Sequence, residues 1–375
     1  MLVNQAFRYE LDPNNAQKTA FAKHAGAARF AFNWGLELCR RLLDAKESVP
    51  SAVDLHKRWN AWKRENAPWW VEVSKCAPQE ALRDLRRAFD NLFAGRAGFP
   101  RFRRKWEDDR FRLTGSIRVL PGHVVLPRIG KVRVKEATGK FRGRILSATV
   151  TREADRWFVS LAVEAERAEP TPVRGEPAGV DLGFRSFAVL SDGARIEAPK
   201  PLKRLLRKLR RLSRAASRKR KGSRNRRKAV AELARLHRRI ANIRRDFLHK
   251  ASSALARTKP AICVEAMRVG DMLLPGRGPG YARNINRAMA DAGIGEFLRM
   301  LAYKTAWHGS ALVLPPEGYA ATRTCSECGW EGPELPPSRR VFRCGACGLE
   351  IDRDLNAARN LEKPAEEFLN NAPAA

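Results

Sequence analysis

The chain has 375 residues, of which 44% are hydrophobic, and 73 Lys and Arg against 40 Asp and Glu give a formal net charge of +33. That apolar share can bury a core and excludes a disordered basic tail, while the charge exceeds what solubility needs and implies a polyanionic partner, nucleic acid first. No stretch approaches 18 uncharged apolar residues and the opening MLVNQAFRYELD lacks the pattern of a signal peptide, so an intracellular protein with no membrane partner is expected.

In chain order, a short strand is expected from Ala6 to Leu11, after which Asp12-Pro13 reads as a helix start. Phe21, Ala25, Ala28, Phe32, Leu36, Cys39 and Leu43 then recur at helical spacing and predict one long amphipathic helix. A second helix, Pro78 to Phe93, carries Leu82, Leu85, Phe89 and Leu92 on one face. The segment GFPRFRRKW sets Arg101, Arg103, Arg104 and Lys105 among Phe99, Phe102 and Trp106. Such interleaving suits base stacking with phosphate contact, and equally suits aromatics that anchor a strand in a core. From Phe111 to Ala165 the short runs HVVLP, KVRVK, ILSATVT and RWFVSLAVEA indicate a small β-barrel or sheet. The Pro- and charge-rich stretch Glu166 to Pro177 marks a domain boundary.

Beyond it, AGVDLGFRSFAVLSDGARIEA reads as a β-meander: a strand ending near Asp181, a second from Ser186 to Leu190, a turn at Ser191-Asp192-Gly193 and a third strand. Lys200 to Lys228 holds sixteen Lys and Arg, with no acidic residue between Glu197 and Glu232. Beneath the charge run two apolar stripes, Leu202, Leu205, Leu206, Leu209, Leu212 and Leu233, Leu236, Ile240, Ile243, Phe247, which predict two antiparallel helices. Cations without counter-charge repel one another unless phosphates neutralise them, so Arg218, Lys219, Arg220, Lys221 and Arg224 at the break are candidate nucleic-acid contacts. A β-branched run, PAICVEAM, carries Glu265. A glycine-rich loop (Gly270 to Tyr281), a helix from about Ala288 to Trp307, a strand from Ala311 to Pro315, a helix in DRDLNAARNLEK and a loose tail from Pro364 complete the reading.

Two constellations carry chemistry. Cys325-x-x-Cys328 and Cys344-x-x-Cys347 are separated by fifteen residues, and Gly329 and Gly348 follow the second cysteine of each pair. Each turn aims two thiolates at one point, and four thiolates fill a tetrahedral zinc ion, so the site is structural. Cys39, Cys76 and Cys263 stand singly in apolar surroundings, as reduced buried thiols do. The second constellation is Asp181, Glu265 and Asp354, each at the end of an apolar run or the start of a helix. Carboxylates that converge on Mg²⁺ can activate water against a phosphodiester. A meander carrying Asp, a later strand carrying Glu and a later helix carrying Asp is the ligand order of a ribonuclease-H-like nuclease core.

AGVDLG, the basic hairpin, VEAM, NRAMADAGIGEFLRMLAYKTAWHG, TRTCSECG and CGLEIDRDLNAARNL, together with FRYELDPNNAQ, ARFAFNWGL and GFPRFRRK near the start, resemble the TnpB (OrfB-type) proteins of insertion sequences, compact relatives of the type V CRISPR effectors. The likeness spans roughly residues 6 to 362. It implies an RNA-guided double-strand DNA endonuclease of mixed α/β fold: a wedge-like β-barrel (1–11 and 96–170) interrupted by a helical recognition lobe (12–95), a RuvC-like nuclease (177–317 and 350–363) with an inserted basic helical hairpin and zinc ribbon (318–349), and a tail (364–375). It further implies a guide RNA from the transposon end, target double-stranded DNA with an adjacent motif, structural Zn²⁺, catalytic Mg²⁺ and a prokaryotic cytoplasmic, nucleoid-associated setting. By motif the catalytic carboxylates fall on Asp181, Glu265 and Asp354. The resemblance implies Asp354 rather than Asp352, because the family's last acidic residue stands just before an Ala-Ala pair with two residues between, as Asp354 does before Ala357-Ala358. The sequence departs from the family's common residues at Ala266 and at Thr322-Arg323. A nuclease-inactive guided DNA-binding protein and a carboxylate-triad transposase are the competing readings.

Overall fold

The computed structural model describes residues 1–265, 281–336 and 339–371, and divides into two compact units, Met1–Ala168 and Glu169–Ala375.

In the first unit strand β1 (Leu2–Asp12) is followed by helices α1 (Asn15–Asp44), α2 (Ala52–Asn66) and α3 (Cys76–Phe93). Strands β2 (Arg110–Leu113), β3 (Arg118–Leu120), β4 (His123–Leu126), β5 (Gly130–Val134), β6 (Arg144–Glu153) and β7 (Arg156–Glu166) come after them. The seven strands order as β2-β6-β7-β1-β5-β4-β3, every neighbour antiparallel, so the first strand of the chain lies at the centre. Its register with β7 runs unbroken from Leu2 opposite Glu166 to Leu11 opposite Trp157. Alternate residues of β7, among them Val159, Leu161 and Val163, turn inward, as period-two patterning requires. They meet Phe21, Leu36, Leu82, Leu85 and Phe89 from the helices in one core.

Three expectations change here. Strand β1 is longer than predicted, and helix α1 is capped by Asn14 rather than Asp12. Asn14 and Gln17 form a reciprocal capping box, which satisfies two backbone N–H groups and leaves Asp12 in the strand, opposite Arg133. Helix α2 was not anticipated, although its Leu55 and Trp59 are fully buried.

The second unit opens with the expected meander, β8 (Ala178–Leu182), β9 (Ala188–Leu190) and β10 (Arg195–Ile196). The hairpin helices α4 (Pro201–Ser217) and α5 (Arg224–Thr258) follow, then β11 (Ala261–Val264). Helices α6 (Tyr281–Ala292) and α7 (Ile294–His308), strands β12 (Ala311–Val313), β13 (Val341–Arg343) and β14 (Glu350–Asp352), and helix α8 (Arg353–Asn370) complete it. The main sheet orders as β10-β9-β8-β11-β12; β9 runs antiparallel to β8 and β10, while β11 is parallel to both β8 and β12. Phe187 anchors one face, edge-on to Phe247 and Phe297 with centroids 4.9 Å away in each case. The amino-terminal half of α5 zips to α4 through Leu212, Leu236 and Ile240, as the stripes predict. Its carboxy-terminal half packs Leu248, Ala251 and Leu255 into the sheet's core.

Helix α8 lies against β8 at a distance only glycine permits. A Cβ on Gly179 would stand 1.8 Å from the Ala358 carbonyl oxygen and 2.4 Å from the Glu362 nitrogen. The helix expected from Ala288 to Trp307 is two helices, broken at Gly293, whose φ of +70° a residue with a side chain adopts only under strain. The expected strand to Pro315 ends at Val313. The loose tail from Pro364 is a correction as well: α8 continues to Asn370 with Pro364 buried inside it. Pro364 has no N–H for the Asn360 carbonyl, and the Tyr319 hydroxyl donates to that oxygen instead, at 2.7 Å. The glycine-rich loop, apart from Tyr281, and Ala266 lie outside the described residues.

Candidate functional site

The central strands β8 and β11 run parallel, so their carboxyl ends open on the same edge of the sheet. Asp181 is the penultimate residue of β8, and Glu265 directly follows β11. Asp354 stands in the first turn of α8, where the helix dipole favours a negative charge. Fold and charge bring the three together: burial first, then the charges of Asp354 and Glu265, push the Asp181 carboxyl up to about 8, with Arg353 opposing. Burial also raises Glu265. By surface area Glu265 is nonetheless exposed.

Asp352 has a different task. Its carboxylate caps α8, accepting from the N–H groups of Asp354 and Leu355 at 3.1 Å each, and it pairs with Arg195 of β10 at 3.1 Å. Burial works against ionisation of Asp352, but the bonds from Leu355 and Arg195 hold it below the usual carboxylate range. The charge of Asp354 bears on Asp181, and Arg340 Nη1 and Arg353 Nη2 lie 3.4 Å and 3.6 Å from the Asp354 Oδ1. Two carboxylates on one divalent ion would have oxygens within about 4 Å of each other. Among the described residues, the four cysteines are the one group of three or more such ligands whose atoms all lie within 4.8 Å. The carboxylates therefore share a field without being drawn to a single point.

The cysteines do share one. Cys325 Sγ lies 3.7 Å from Cys347 Sγ, and Cys328 Sγ lies 3.5 Å from Cys344 Sγ. A tetrahedral zinc ion with Zn–S bonds of about 2.3 Å spaces its sulfurs about 3.8 Å apart, so the donor set fits zinc. Gly329 and Gly348 both take φ +76°, the left-handed turn that closes each knuckle. Burial would raise the Cys344 thiol, but the N–H groups of Cys347 and Ala346 and the neighbouring thiols lower it, while the same thiol contacts push Cys347 up, so without metal the knuckles share protons between their sulfurs.

What joins the two centres was not read from the sequence. Asn356 and Asn360 of α8 are fully buried and grip main-chain atoms of the first knuckle. Asn356 Oδ1 accepts from Ser326 N at 3.0 Å, and its Nδ2 donates to Thr324 O at 2.7 Å; Asn360 Nδ2 donates to the Ala321 and Thr324 carbonyls at 3.0 and 2.6 Å. Two residues before Asn356, the same helix presents Asp354. The DRDLNAARN motif held the signal, since two polar residues four apart on an otherwise apolar face must find buried partners. Asp291 was missed too: it is buried, and its oxygens accept from Leu202 N and Lys203 N at 2.9 Å each, capping α4.

Of the predicted nucleic-acid contacts, Arg218, Lys219, Arg220, Lys221 and Arg224 are exposed at the turn between α4 and α5. Arg101, Arg104 and Lys105 are exposed or partly exposed in the first unit. Arg103 is a correction: its side chain is only 10% exposed, stacks 3.8 Å from the Phe32 ring centroid, and pairs with Asp108 at 3.2 Å and Asp84 at 3.7 Å. An internal cation with two acidic partners serves the fold.

A sheet with this strand order, carboxylates at its parallel edge and a four-cysteine ribbon tied to its last helix define the class of protein. Residues 160–274 match the family described as "Probable transposase" (OrfB_IS605), and residues 295–361 match "Cas12f1-like, TNB domain". Residues 1–47 match a "Helix-turn-helix domain" of the same OrfB group, although the structure has β1 and α1 there. The chain is 33% identical to InsQ of Escherichia coli (strain K12), a candidate RNA-guided DNA endonuclease, over 95% of this chain and 91% of that one. It is 36% identical to the similarly named Rv2885c of Mycobacterium tuberculosis, over 96% of this chain and 86% of that one. The chain belongs to this TnpB/OrfB family. Its fold is also that of Cas12f1 in a solved complex with sgRNA and target DNA, at TM-score 0.53 and 13% identity over 93% of this chain and 83% of that chain.

Proposed function

We propose that the chain is an RNA-guided DNA endonuclease of an insertion sequence, in which Asp181, Glu265 and Asp354 hold Mg²⁺ for phosphodiester hydrolysis. The observation that carries this is the placement of Asp181 and Glu265 at the carboxyl ends of the parallel strands β8 and β11 with Asp354 in the first turn of α8, where burial and the charges of Asp354 and Glu265 raise the Asp181 carboxyl. Such a cluster is stabilised by a divalent cation, which supplies Lewis acidity and lowers the pKa of bound water. Asp181, Glu265 and Asp354 would hold the ion through their carboxylate oxygens, and Arg340 would give up the Asp354 oxygen it now neighbours. The seven-stranded sheet would serve as the wedge barrel and α1–α3 as the recognition lobe. The guide RNA from the transposon end, and the target DNA beside its adjacent motif, would be held by the hairpin cations Arg218, Lys219, Arg220, Lys221 and Arg224 and by Arg101, Arg104 and Lys105.

Plasmid cleavage with a matched guide, beside a gel shift, tests the reading. Asp181→Ala, Glu265→Ala and Asp354→Ala should each abolish Mg²⁺-dependent cutting and spare binding, and a double variant should be hardly worse than a single one, because ligands acting as a unit are not additive. Cutting abolished by Asp352→Ala and retained by Asp354→Ala would reverse the choice of third ligand; cutting unaffected by every carboxylate variant would put the nuclease elsewhere. One observation favours a second reading, guided DNA binding without cleavage: Asp354 is paired with Arg340 and Arg353, and the carboxylates are not gathered on one point. Absence of Mg²⁺-dependent cutting by the native chain, with guided binding intact, would establish it.

A further inference from the structure

Of the nine tryptophans, all among the described residues, Trp106 alone is exposed, with 64% of its surface open. It is also held in a conformation that tryptophan avoids. Its φ is +73°, in the left-handed region where a bulky side chain is strained by its own backbone. A tight turn enforces this: the N–H groups of Glu107 and Asp108 donate to the Arg104 carbonyl at 3.3 Å, and Trp106 N donates to Asp109 Oδ1 at 3.3 Å. Asp109 is itself anchored by Arg29 at 3.1 Å and Arg152 at 3.7 Å, and is only 12% exposed. The fold thus keeps a strained backbone in order to hold a large apolar ring in water. Strain of that kind persists where the surroundings over-determine it, and it clusters at ligand sites.

We infer that Trp106 is a stacking platform for an unpaired nucleobase. The ring's surroundings select that ligand. Arg152 Cζ lies 4.9 Å and Lys105 Nζ 5.1 Å from its centroid, and Arg104, 78% exposed, begins the same turn. Arg152 and Lys105 lie over the ring, and Arg152 is paired with Asp109 and Arg104 with Glu107 at 4.0 Å, so a base would stack on the part of the indole that stays open to solvent while Lys105 and the exposed Arg104 meet its phosphates. Stacking on indole needs an open base face, which a continuous duplex does not offer. The inference rests on the nucleic-acid reading above and goes beyond it, since that reading assigns phosphate contacts and this one assigns a base contact to a neutral side chain.

The experiment measures binding of labelled single-stranded RNA, single-stranded DNA and a blunt DNA duplex to the full chain across a salt series, for wild type, Trp106→Ala, Trp106→Phe and Trp106→Gly, with thermal melts of each. Loss of a base–aromatic stack, converted at about 1.4 kcal/mol per tenfold, predicts single-strand binding weaker by about 5- to 150-fold in Trp106→Ala. The salt slope should not change, because no phosphate contact is lost, and Trp106→Phe should retain binding within a few-fold. The two single strands show whether RNA or DNA supplies the base. Trp106→Gly should melt no lower than wild type, since glycine relieves the left-handed strain, yet bind as poorly as the alanine variant. Single-strand binding within twofold of wild type in Trp106→Ala, or an equal loss on the blunt duplex, would overturn the inference. A Trp106→Gly protein that melts well below wild type would also overturn it, by showing that the indole serves the fold. If wild type bound none of the three probes, the nucleic-acid reading itself would fall, and this inference with it.

Discussion

Replacing Gly179 with Ala should disable the carboxylate site without touching a carboxylate. Gly179 and Asp181 are two residues apart on β8 and so point to the same face of the sheet, the face that α8 covers. The new methyl carbon would lie 1.8 Å from the Ala358 oxygen, 2.4 Å from the Glu362 nitrogen and 2.7 Å from the Leu361 carbonyl carbon. All three are backbone atoms, so no side chain can rotate away. Ordinary contact would require α8 to retreat by roughly 1.5 Å, carrying Asp354 with it. Overpacking costs about 1–3 kcal/mol where a core can adjust, and a clash with helix backbone belongs at or above the top of that range. For a unit of this size about 3 kcal/mol lowers the melting temperature by roughly 6–12 °C. A misplacement of about 1 Å costs on the order of 100-fold in rate. The assay pairs a thermal melt with Mg²⁺-dependent plasmid cleavage. Ala358→Gly should fail to rescue either property, because the obstruction is the carbonyl and not the Ala358 methyl group. A Gly179→Ala protein that melts within a degree or two of wild type and cuts at the wild-type rate would refute the reasoning.

Three further outcomes are expected. Cys344→Ser removes a thiolate from a site whose metal binding is part of folding; zinc content should fall and the second unit should become protease-sensitive, and a variant with one zinc and unchanged resistance would count against a structural site. Neutralising Arg218, Lys219, Arg220 and Lys221 together should weaken nucleic-acid binding and reduce the salt slope by about 3, at roughly 0.7–0.9 per lost phosphate contact; an unchanged slope would make the run a solvated face. Asp181→Asn tests the carboxyl that burial and its neighbours raise from 3.8 to about 8. A raised folded-state value means the stability linked to this group is full at low pH and is lost as pH rises through that window. Without metal, Asn should therefore match wild type near pH 4 and exceed it by a few kcal/mol near pH 8, while Mg²⁺ should raise the melting temperature of wild type only. A stability difference that does not vary with pH would contradict the assignment.

Much of this was legible where a local pattern and the tertiary fold demand the same residues. The meander around Asp181, the two leucine stripes and the paired CxxC knuckles each follow from spacing alone. The misses arose where one residue answers to partners far along the chain. Pro364 looks like a terminator because a proline removes a helix bond, and nothing near it announces that Tyr319 will meet the orphaned carbonyl. Arg103 looks like its exposed neighbours Arg101 and Arg104, and only the fold brings Asp84 and Phe32 to it. The choice of Asp354 over Asp352 rested on motif position. Nothing near either residue in the sequence announces that Asp352 caps the helix and pairs with Arg195 while Asp354 neighbours Arg340 and Arg353.

The Tyr319–Pro364 exchange has an evolutionary consequence. The Asn360 carbonyl needs one donor, which can come from the residue at 364 or from the tyrosine, and each makes the other dispensable. The two positions should covary across descendants of this chain: a lineage that regains an N–H at 364 relaxes selection on the Tyr319 hydroxyl, while one that keeps Pro364 cannot lose it freely. The last helix, which presents Asp354, is thus tied in its inheritance to Tyr319, which lies forty-five positions upstream of Pro364 and belongs neither to the three carboxylates nor to the four cysteines.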